Sequence, residues 1–419
     1  MNYRIFPPEE ILETTIRLPL SKSIAARAVV MASLTPGADL PGQSVLPDCT
    51  DTRVLLETVG AKTGTVDVAD CGTAARFLTA VFAATPGTDL TLRGSDRLNR
   101  RPIAPLVEAL RSLGAEISYT EEEGRLPLHI RGRELRGGHV ALDAAASSQF
   151  ASALAIIAPS CPGGLQIELG GEIASKPYLK MTMRMLESRG IAVDLAGYTL
   201  SVGPGPMKAV RPESEADWSA AAFWYSIAAV TAGWVTLPGL VTDCLQGDSV
   251  LSRIGERFGV LTEFTQEGAE LSATPDLWSR LDMDMSDYPD LVPALAVTSY
   301  LASLPFKFTG VANLRHKESD RIEALCAGLR ACGCVPEAGP DYIGWEGARE
   351  PMFSLPEIDP HADHRIAMAF AAASVFIPGI VINDVEAAAK SYPAFWDDLR
   401  AAGFTLTDAA EPLPEPEKG

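Results

Sequence analysis

The chain has too little positive charge to bind nucleic acid or an anionic membrane through a broad surface. Its 35 Lys and Arg residues are outnumbered by 54 Asp and Glu residues, so the formal net charge is −19 at pH 7. Binding to nucleic acid or to an anionic membrane depends on an extended basic face. We therefore expect neither partner, and a small anionic ligand would have to be held by a local cluster of cations.

The sequence also lacks long apolar runs and the cysteine or histidine spacing of a metal site. No apolar run reaches the roughly 18–20 residues that span a bilayer, and the start of the chain does not resemble a signal peptide. The seven cysteines are odd in number and scattered, which is typical of reduced thiols. Cys332 and Cys334 form a C-x-C pair without a second ligand pair nearby. We expect a cytoplasmic protein that needs neither a metal nor another cofactor.

What the chain does have is an internal repeat. Six segments that are rich in small and apolar residues on all sides alternate with six amphipathic segments that end in glycine. The apolar segments begin at Ser21, Gly72, Ser147, Asp217, Asp290 and Asp363, and the glycines are Gly60, Gly114, Gly190, Gly259, Gly333 and Gly403. A helix that is apolar all round is buried, and the glycines predict left-handed residues that stop the amphipathic helices. The pattern predicts an α/β fold built from six repeats, of which the first is shortened.

The six repeats divide into two predicted domains of three repeats each. We place the first domain at residues 21–214 and the second at residues 1–20 plus 215–410, because the third repeat closes shortly before Asp217. Residues 411–419 are acidic and rich in proline, and we expect them to be disordered. Since every buried helix begins with polar or capping residues, these polar starts are expected to emerge together.

The densest group of charged side chains is Asn313–Arg321, with the sequence NLRHKESDR. The residues from Ile322 onward have the apolar spacing of a helix with one buried face. Free N–H groups at a helix start favour an anion, and Lys317 and Arg321, four residues apart, face the same way. This pattern predicts a site for a phosphate or carboxylate group. The alternative is a solvated helix start with local ion pairs.

Two other helix starts carry charges that a hydrophobic core does not need. Serines there can be simple helix caps, but capping does not explain Lys22 and Arg27 on an otherwise apolar helix. Because an unpaired buried guanidinium is costly, we expect an anionic partner for Arg27. Asp284, Asp287 and Asp290 could suggest magnesium, but the many cations can meet the charge of a phosphate.

Nine motifs, in the same order along most of the chain, match those of one enzyme family. They are SKS at 21–23, CGTAARFL at 71–78, RPI at 101–103, SSQF at 147–150, SKPY at 175–178, YPD at 288–290, RHKESDR at 315–321, DHRIAMA at 363–369 and AKSYP at 389–393. With these motifs the chain closely resembles the 5-enolpyruvylshikimate-3-phosphate synthases. The resemblance implies a two-domain inside-out α/β barrel, in which each domain has three repeats of strands and helices around buried parallel helices.

The resemblance also implies an activity. It is transfer of the enolpyruvyl (carboxyvinyl) group of phosphoenolpyruvate to the 5-hydroxyl of shikimate 3-phosphate, with release of phosphate, by a 3-phosphoshikimate 1-carboxyvinyltransferase. This reaction belongs to the shikimate pathway, which leads to chorismate and the aromatic amino acids. We expect these two small molecules as the partners of a monomer.

Roles for individual residues follow from the same resemblance. The matches to contacts of shikimate 3-phosphate are Lys22, Ser23, Arg27, Ser147, Ser148, Gln149, Ser175, Tyr178, Asp290, Asn313 and Lys317. The matches to contacts of phosphoenolpyruvate are Lys22, Asp70, Gly72, Arg101, Gln149, Arg321, His364, Arg365 and Lys390. Asp290 and Glu318 match the proton acceptor and donor, and Lys22 is a third catalytic candidate. The chemistry agrees with an acid and a base, because C3 is protonated while the hydroxyl attacks C2.

Three residues depart from the family pattern. Asp70 stands where most relatives have asparagine, Phe77 where many have proline, and Trp218 where relatives often have a small residue. The first two bear on sensitivity to glyphosate, which competes with phosphoenolpyruvate in this family. We expect the Asp70 carboxylate to pair with an arginine such as Arg76 or Arg101, since repulsion of the substrate would be a direct loss.

Two alternative functions remain at this point. The related transferase that acts on UDP-N-acetylglucosamine usually shows K-N near its first helix and a cysteine in a mobile loop, whereas this chain has SKS and SSQ. The other alternative is a catalytically inactive homologue that only binds its ligands. Loss of an acid, a base or a phosphate-binding arginine would favour it, and all of these residues are present.

Overall fold

The computed structural model describes residues 1–143, 147–171 and 173–411, with the side chains of all of these except residues 276 and 277. Apart from Glu411, the tail predicted to be disordered lies outside the described residues. Within the described part, no helix is long and apolar enough to cross a membrane.

Helices and strands alternate along the chain. The helices are α1 (Lys22–Leu34), α2 (Thr50–Thr58), α3 (Gly72–Ala84), α4 (Asp96–Asn99), α5 (Ala104–Ser112), α6 (Ser148–Ile157), α7 (Lys176–Ser188), α8 (Trp218–Thr231), α9 (Leu251–Gly255), α10 (Val292–Leu301), α11 (Arg321–Ala331), α12 (His364–Ala369) and α13 (Phe395–Ala401). Short 3-10 helices cover Gln43–Val45, Ala158–Ser160, Gly247–Val250, Pro289–Leu291, Ala312–His316, Phe370–Val375 and Val385–Lys390.

The strands are short. They are β1 (Tyr3–Phe6), β2 (Glu13–Thr15), β3 (Thr63–Asp67), β4 (Asp89–Arg93), β5 (Glu116–Tyr119), β6 (Leu128–Arg131), β7 (Gly138–Asp143), β8 (Leu165–Gly170), β9 (Val193–Ala196), β10 (Thr199–Val202), β11 (Trp234–Pro238), β12 (Phe258–Phe264), β13 (Gly268–Leu277), β14 (Leu281–Asp284), β15 (Phe306–Thr309), β16 (Glu337–Gly339), β17 (Tyr342–Trp345), β18 (Glu357–Ile358), β19 (Ile380–Ile382) and β20 (Thr405–Asp408).

The chain forms two compact units. The first unit consists of residues 19–217 and 243–247, and the second of residues 1–18, 218–242 and the described residues from 248 onward. The predicted domain limits differ from these by a few residues, and the short excursion at Asp243–Gly247 was not predicted. The domain limits themselves stay a prediction.

Every sheet in the described part of the chain has four strands and the same plan. One edge strand runs parallel to its neighbour, and the remaining two pairings are antiparallel. The first unit holds the sheets β3-β4-β6-β5 and β7-β8-β10-β9, and the second unit holds β2-β11-β13-β12, β14-β15-β17-β16 and β18-β19-β1-β20. The repeat predicted to be shortened comprises α1 and α2, and no described strand lies between them.

The first residues of the chain complete two sheets of the second unit. Strand β2 pairs in parallel with β11, and β1 lies between β19 and β20 with antiparallel pairing on both sides. In each case the strand occupies a position that the local repeat fills from its own sequence in the other sheets. The sixth repeat is therefore assembled from both ends of the chain.

The six apolar segments form the buried helices α1, α3, α6, α8, α10 and α12, as the sequence predicts. All ten residues of α10 are buried, which fits a helix without a polar face. In the amphipathic α7, by contrast, burial is confined to one stripe that includes Leu179, Thr182 and Leu186. Each large apolar side chain removed from water contributes about 1.5–3 kcal/mol, so the all-apolar helices dominate the cores. The predicted α/β fold class is confirmed.

The predicted glycine stops are correct at four of six positions. Gly114, Gly190, Gly333 and Gly403 follow the ends of α5, α7, α11 and α13 and have φ angles between 82° and 97°, in the left-handed region. Gly259 also has a φ of 82°, but it lies within strand β12, after α9 has ended at Gly255, so it does not stop a helix. The prediction is wrong at Gly60, which is not left-handed. Helix α2 ends in a tighter turn instead, because Val59 stays right-handed and the amide of Ala61 donates to the carbonyl of Thr58 at 3.0 Å.

Candidate active site

In the first unit, Lys22 forms an ion pair at the start of the first buried helix. Its Nζ donates to the Asp51 carboxylate at 2.9 Å, and its backbone N–H donates to Asp217 at 3.4 Å. Asp51 lies in the first turn of α2 and is buried, with 6% of its surface exposed. The sequence reasoning singled out Lys22 but missed this carboxylate.

Arg27 is buried one turn further along α1, but its partners are not the anions we expected. Its Nε donates to the Thr182 hydroxyl at 2.7 Å, and Nη2 donates to Ser152 at 3.4 Å and to the carbonyl of Tyr178 at 3.1 Å. Nη1 donates to the carbonyl of Ser23 at 2.8 Å. Within the protein the guanidinium is held by neutral oxygens, two of them from α7, so the expected anionic partner stays a prediction for a ligand. Burial lowers the pKa of Arg27 to about 10.

Two guanidinium groups crowd the start of α3 at Gly72. A Cβ added at Gly72 would lie 2.5 Å from Nη1 of Arg76 and 2.8 Å from Nη1 of Arg101. The Arg76 Nη1 also donates to the carbonyl of Gly72 at 2.8 Å, and the buried Nε of Arg101 has no hydrogen-bond partner among the described residues. Two cations beside a helix N-terminus form a strongly anion-attracting group. Arg76 was not among the predicted site residues.

Asp70 is paired, as expected, with an arginine. Its carboxylate accepts hydrogen bonds from the Ser95 hydroxyl and from Nε of Arg97, and the shortest Arg97 contact is 3.0 Å. The sequence reasoning missed Arg97, which lies on the short helix α4 that Ser95 caps. The carboxylate is therefore neutralised locally although its side chain is 44% exposed.

The serines before α6 and α7 differ in their local roles. Ser147 caps α6 by accepting from the Gln149 amide at 3.2 Å, and the Gln149 side chain donates to Thr73 at 2.9 Å. Ser148 is buried in the first turn. Ser175 stands at the cap position of α7 but makes no capping hydrogen bond, and its φ of 57° is unusual for a residue other than glycine. Capping therefore accounts for Ser147 but not for Ser175.

In the second unit, Arg321 joins three carboxylates. This guanidinium, only 1% exposed, donates to Asp363 at 2.7 Å, to Asp290 at 2.9 Å and to Glu318 at 2.9 Å. These anions together raise the pKa of Arg321, although burial alone would lower it. The residues come from the 3-10 helix before α10, from the loop before α11 and from the cap of α12. Two of the chain's repeats, the fifth and the sixth, therefore meet at one cation.

Asp290 has two further cations beside it. Nη2 of Arg365 lies 3.1 Å from its carboxylate, and Nζ of Lys317 lies 3.8 Å away. Burial alone would raise the pKa of Asp290, but Arg365, Lys317 and Arg321 hold it well below its ordinary value. The predicted proton acceptor is thus a carboxylate whose charge is fully compensated.

Asp363 organises the start of α12 and was missed as a site residue. It is fully buried, accepts from the Arg365 amide at 3.0 Å, and also accepts from Ser319 at 3.3 Å. His364 is buried next to it, with Nδ1 3.8 Å from Asp363. The acid therefore fixes Arg321 and the helix start together.

The last two predicted residues lie on 3-10 helices of the second unit. Oδ1 of Asn313 is buried and accepts no hydrogen bond from the described residues. Lys390 is the final residue of the 3-10 helix Val385–Lys390 and is half-buried. No group of three or more His, Cys, Asp or Glu residues among those described could hold a metal ion.

The predicted residues thus divide between the two units, and we name the two sets the first-unit cluster and the second-unit cluster. The first-unit cluster contains Lys22, Ser23, Arg27, Asp70, Gly72, Arg101, Ser147, Ser148, Gln149, Ser175 and Tyr178, and the second-unit cluster contains Asp290, Asn313, Lys317, Glu318, Arg321, His364, Arg365 and Lys390. Their assignment to particular substrates stays a prediction. Periodicity alone could have found Arg76, because it lies four residues after Gly72 on an apolar helix.

Comparison with known proteins agrees with this chemistry. The family model described as EPSP synthase (3-phosphoshikimate 1-carboxyvinyltransferase) matches residues 55–399. A 3-phosphoshikimate 1-carboxyvinyltransferase of Bacteroides fragilis is 42% identical over 97% of this chain and 99% of its own length. One from Syntrophobacter fumaroxidans is 36% identical over 92% of this chain and 96% of its own length.

Solved structures support the fold independently. An EPSP synthase from Acinetobacter baumannii superposes with a TM-score of 0.74 at 24% identity, over 97% of this chain and all of that one. At this identity the likeness bears on the fold alone, whereas the family model and the relatives in sequence bear on the family. The chain belongs to the EPSP synthase (3-phosphoshikimate 1-carboxyvinyltransferase) family.

Proposed function

We propose that this chain transfers the enolpyruvyl group of phosphoenolpyruvate to the 5-hydroxyl of shikimate 3-phosphate, releasing phosphate. The observation that carries the proposal is the cluster around Arg321, in which one cation holds two candidate proton-transfer groups. Asp290 and Glu318 each lie 2.9 Å from this guanidinium. An acid and a base at a common cation suit a reaction that moves a proton at two places.

The reaction balances as an addition followed by an elimination. In the addition, the hydroxyl oxygen bonds to C2 of phosphoenolpyruvate, its proton leaves to a base, and an acid protonates C3. In the elimination, the bond from C2 to the phosphate oxygen breaks and C3 loses a proton, which restores the double bond. We assign Asp290 as the acceptor of the hydroxyl proton and Glu318 as the group that exchanges protons with C3.

Substrate binding also accounts for how Asp290 could act as a base. While Arg365, Lys317 and Arg321 compensate its charge, the pKa of Asp290 stays low and the carboxylate is a weak base. A phosphate or carboxylate that draws on the same cations reduces this compensation, so the pKa of Asp290 rises towards a useful value. The base would then become effective only when substrate is bound.

The roles that we assign in the first unit are anion binding and orientation. Arg76 and Arg101 at the start of α3 provide charge-assisted donors for the phosphate or carboxylate of phosphoenolpyruvate. Arg27, Ser147 and Ser175 are assigned to shikimate 3-phosphate. Preorganised cations that face developing negative charge are typically the largest single contribution to catalysis.

The proposed activity is tested by phosphate release from phosphoenolpyruvate. We expect release with shikimate 3-phosphate as acceptor and none with UDP-N-acetylglucosamine, and the Asp290→Asn variant should lose most of the rate. Release only with UDP-N-acetylglucosamine would support the related transferase instead. Tight binding of both shikimate-pathway substrates without release would support an inactive homologue.

We further propose that the chain acts as a cytoplasmic monomer. Cys161 and Cys332 are buried thiols that form no disulfide, which suits a reducing compartment. The chain also supplies every residue to which a role is assigned. Light scattering at the concentration of the activity assay tests the monomer, and a stable dimer would contradict it.

A further inference from the structure

The ion pair between Lys22 and Asp51 joins the starts of three helices. Lys22 opens α1, Asp51 lies in the first turn of α2, and the carbonyl of Asp51 accepts from the Cys71 thiol at 3.7 Å. Cys71 in turn caps α3 by accepting from the amide of Ala74 at 3.3 Å. The carboxylate is thus built into the framework that carries Gly72 and its two arginines.

We propose that Asp51 is a positioning residue that orients the ammonium group of Lys22 towards the anionic substrate and keeps it charged. The inference rests on the proposed function and on the match of Lys22, by family resemblance, to contacts of both substrates. Asp51 itself need not touch either substrate. It acts through the lysine.

A buried carboxylate beside an anion-binding lysine needs a reason, because it repels the anion that the lysine attracts. The side chains of Lys22 and Asp51 are only 17% and 7% exposed, so solvent screens the pair weakly. A desolvated lysine without a partner tends to lose its proton, and its flexible stem samples many rotamers. The carboxylate opposes both effects. We infer that the gain from a charged and oriented Lys22 exceeds the loss from the repulsion between Asp51 and the anionic substrate.

The ammonium group of Lys22 can donate hydrogen bonds to Asp51 and to a ligand at the same time. An ammonium group has three N–H donors, so one can remain on Asp51 while others meet a phosphate or carboxylate. Titratable groups next to Lys22 include Asp51 in α2, the Cys49 thiol just before α2, and Asp217, whose carboxylate accepts from the backbone N–H of Lys22. Burial, more than any neighbour, raises the pKa of Cys49, so the thiol is not an anion, and Asp51 forms an ion pair with the ammonium group.

Kinetics of matched variants test the proposal. Asp51→Asn should lower kcat/KM for phosphoenolpyruvate by about tenfold or more and move the alkaline limb of the rate profile to lower pH by about one unit. Asp51→Glu keeps the charge and should leave that limb in place. Asp48→Asn is the control, because Asp48 lies three residues earlier, is 92% exposed and pairs with Arg53. A lower KM in Asp51→Asn would overturn the proposal, since it would show that Asp51 only competes with substrate.

A second measurement reads the charge of Lys22 without catalysis. Reductive methylation with formaldehyde and borohydride, followed by mass spectrometry of the peptide that contains Lys22, gives the pH at which this amine becomes reactive. That midpoint should fall by about one unit in Asp51→Asn and stay unchanged in Asp51→Glu and Asp48→Asn. An unchanged midpoint in a folded Asp51→Asn protein would overturn the inference. If Asp51→Asn does not fold, Asp51→Glu is measured instead, and a lowered midpoint in that variant would overturn the inference. If the wild type does not release phosphate, the proposed function fails while this titration still decides the pairing.

Discussion

Two buried arginines, one in each unit, are held in opposite ways. Arg27 is 2% exposed and its partners are hydroxyl and carbonyl oxygens, whereas Arg321 is 1% exposed and joins three carboxylates. Burial prevails at Arg27 and lowers its pKa to about 10, while the anions prevail at Arg321 and raise its pKa. The same side chain thus carries an uncompensated charge in one cluster and a compensated charge in the other.

The difference separates two tasks. An uncompensated buried cation loses solvation and gains little from its neutral partners, so it favours any anion that can approach it. A compensated cation holds its carboxylates in fixed positions and sets their pKa values, which is the requirement for proton transfer. We therefore expect the first-unit cluster to govern affinity and the second-unit cluster to govern rate.

The largest expected effect is on stability, and it tests directly whether the two arginines differ in charge compensation. Arg321→Met leaves one buried and two partly buried carboxylates without their shared cation, so we expect a loss of about 3–5 kcal/mol in the free energy of unfolding. Arg27→Met removes neutral hydrogen bonds and should cost only about 1–2 kcal/mol. Urea unfolding followed by circular dichroism measures both. Equal losses would show that charge compensation does not distinguish the two sites.

The next effect separates rate from affinity. Asp290→Asn and Glu318→Gln should each lower kcat by at least about a hundredfold, because they remove an ionisable group and keep its shape. Binding of shikimate 3-phosphate should change much less. Asp282→Asn is the control, since Asp282 is 55% exposed on β14 and pairs with Arg280. If either variant turns over at a near-normal rate, its assigned role in proton transfer is wrong.

A smaller effect is expected where the first-unit cluster is tightest. Gly72→Ala places a methyl group within 3 Å of two guanidinium groups, which can move because both are ends of flexible side chains. The fold should stay intact while the KM for phosphoenolpyruvate rises about tenfold, since the cations are displaced from the helix start. Thermal unfolding and steady-state kinetics measure the two quantities. A loss of stability with an unchanged KM would contradict the proposal that Gly72 makes room for the two guanidinium groups at the substrate site.

The smallest effect concerns Asp70. Because Ser95 and Arg97 hold its carboxylate and its side chain is 44% exposed, Asp70→Asn should lower the KM for phosphoenolpyruvate and the inhibition constant of glyphosate by less than about threefold. Measurement across pH separates charge from shape. A decrease of tenfold or more would mean that the carboxylate acts on the ligand directly. If neither constant changes, the aspartate at position 70 affects only local hydrogen bonding and not ligand binding.

The sequence predicted what depends on periodicity and on motifs. The buried helices, four of the six glycine stops and the polar residues at helix starts follow from local patterns. The ion-pair partners could not be predicted from local patterns, because they are distant along the chain. Lys22 and Asp51 are 29 residues apart, and Arg321 and Asp363 are 42 residues apart. The neutral oxygens that accept from Arg27, among them those of Thr182 and Ser152, are also distant along the chain, at separations of 155 and 125 residues. Helix α2 stopped without a left-handed glycine because the end of its last turn tightened.

Strand β1 also gives the chain an unusual order of assembly. It is made well before the strands on both of its sides, β19 and β20. Arg4 and Ala409, which are joined by a hydrogen bond of 3.1 Å, are 405 residues apart. The sheet that contains β1 can therefore close only after β19 and β20 have been made, and β1 has to wait for both partners until then. Because β1 and β20 are neighbours in one sheet, a linker could connect them directly and the chain could be opened in an exposed loop instead, which would convert β1 into an ordinary continuation of the sixth repeat.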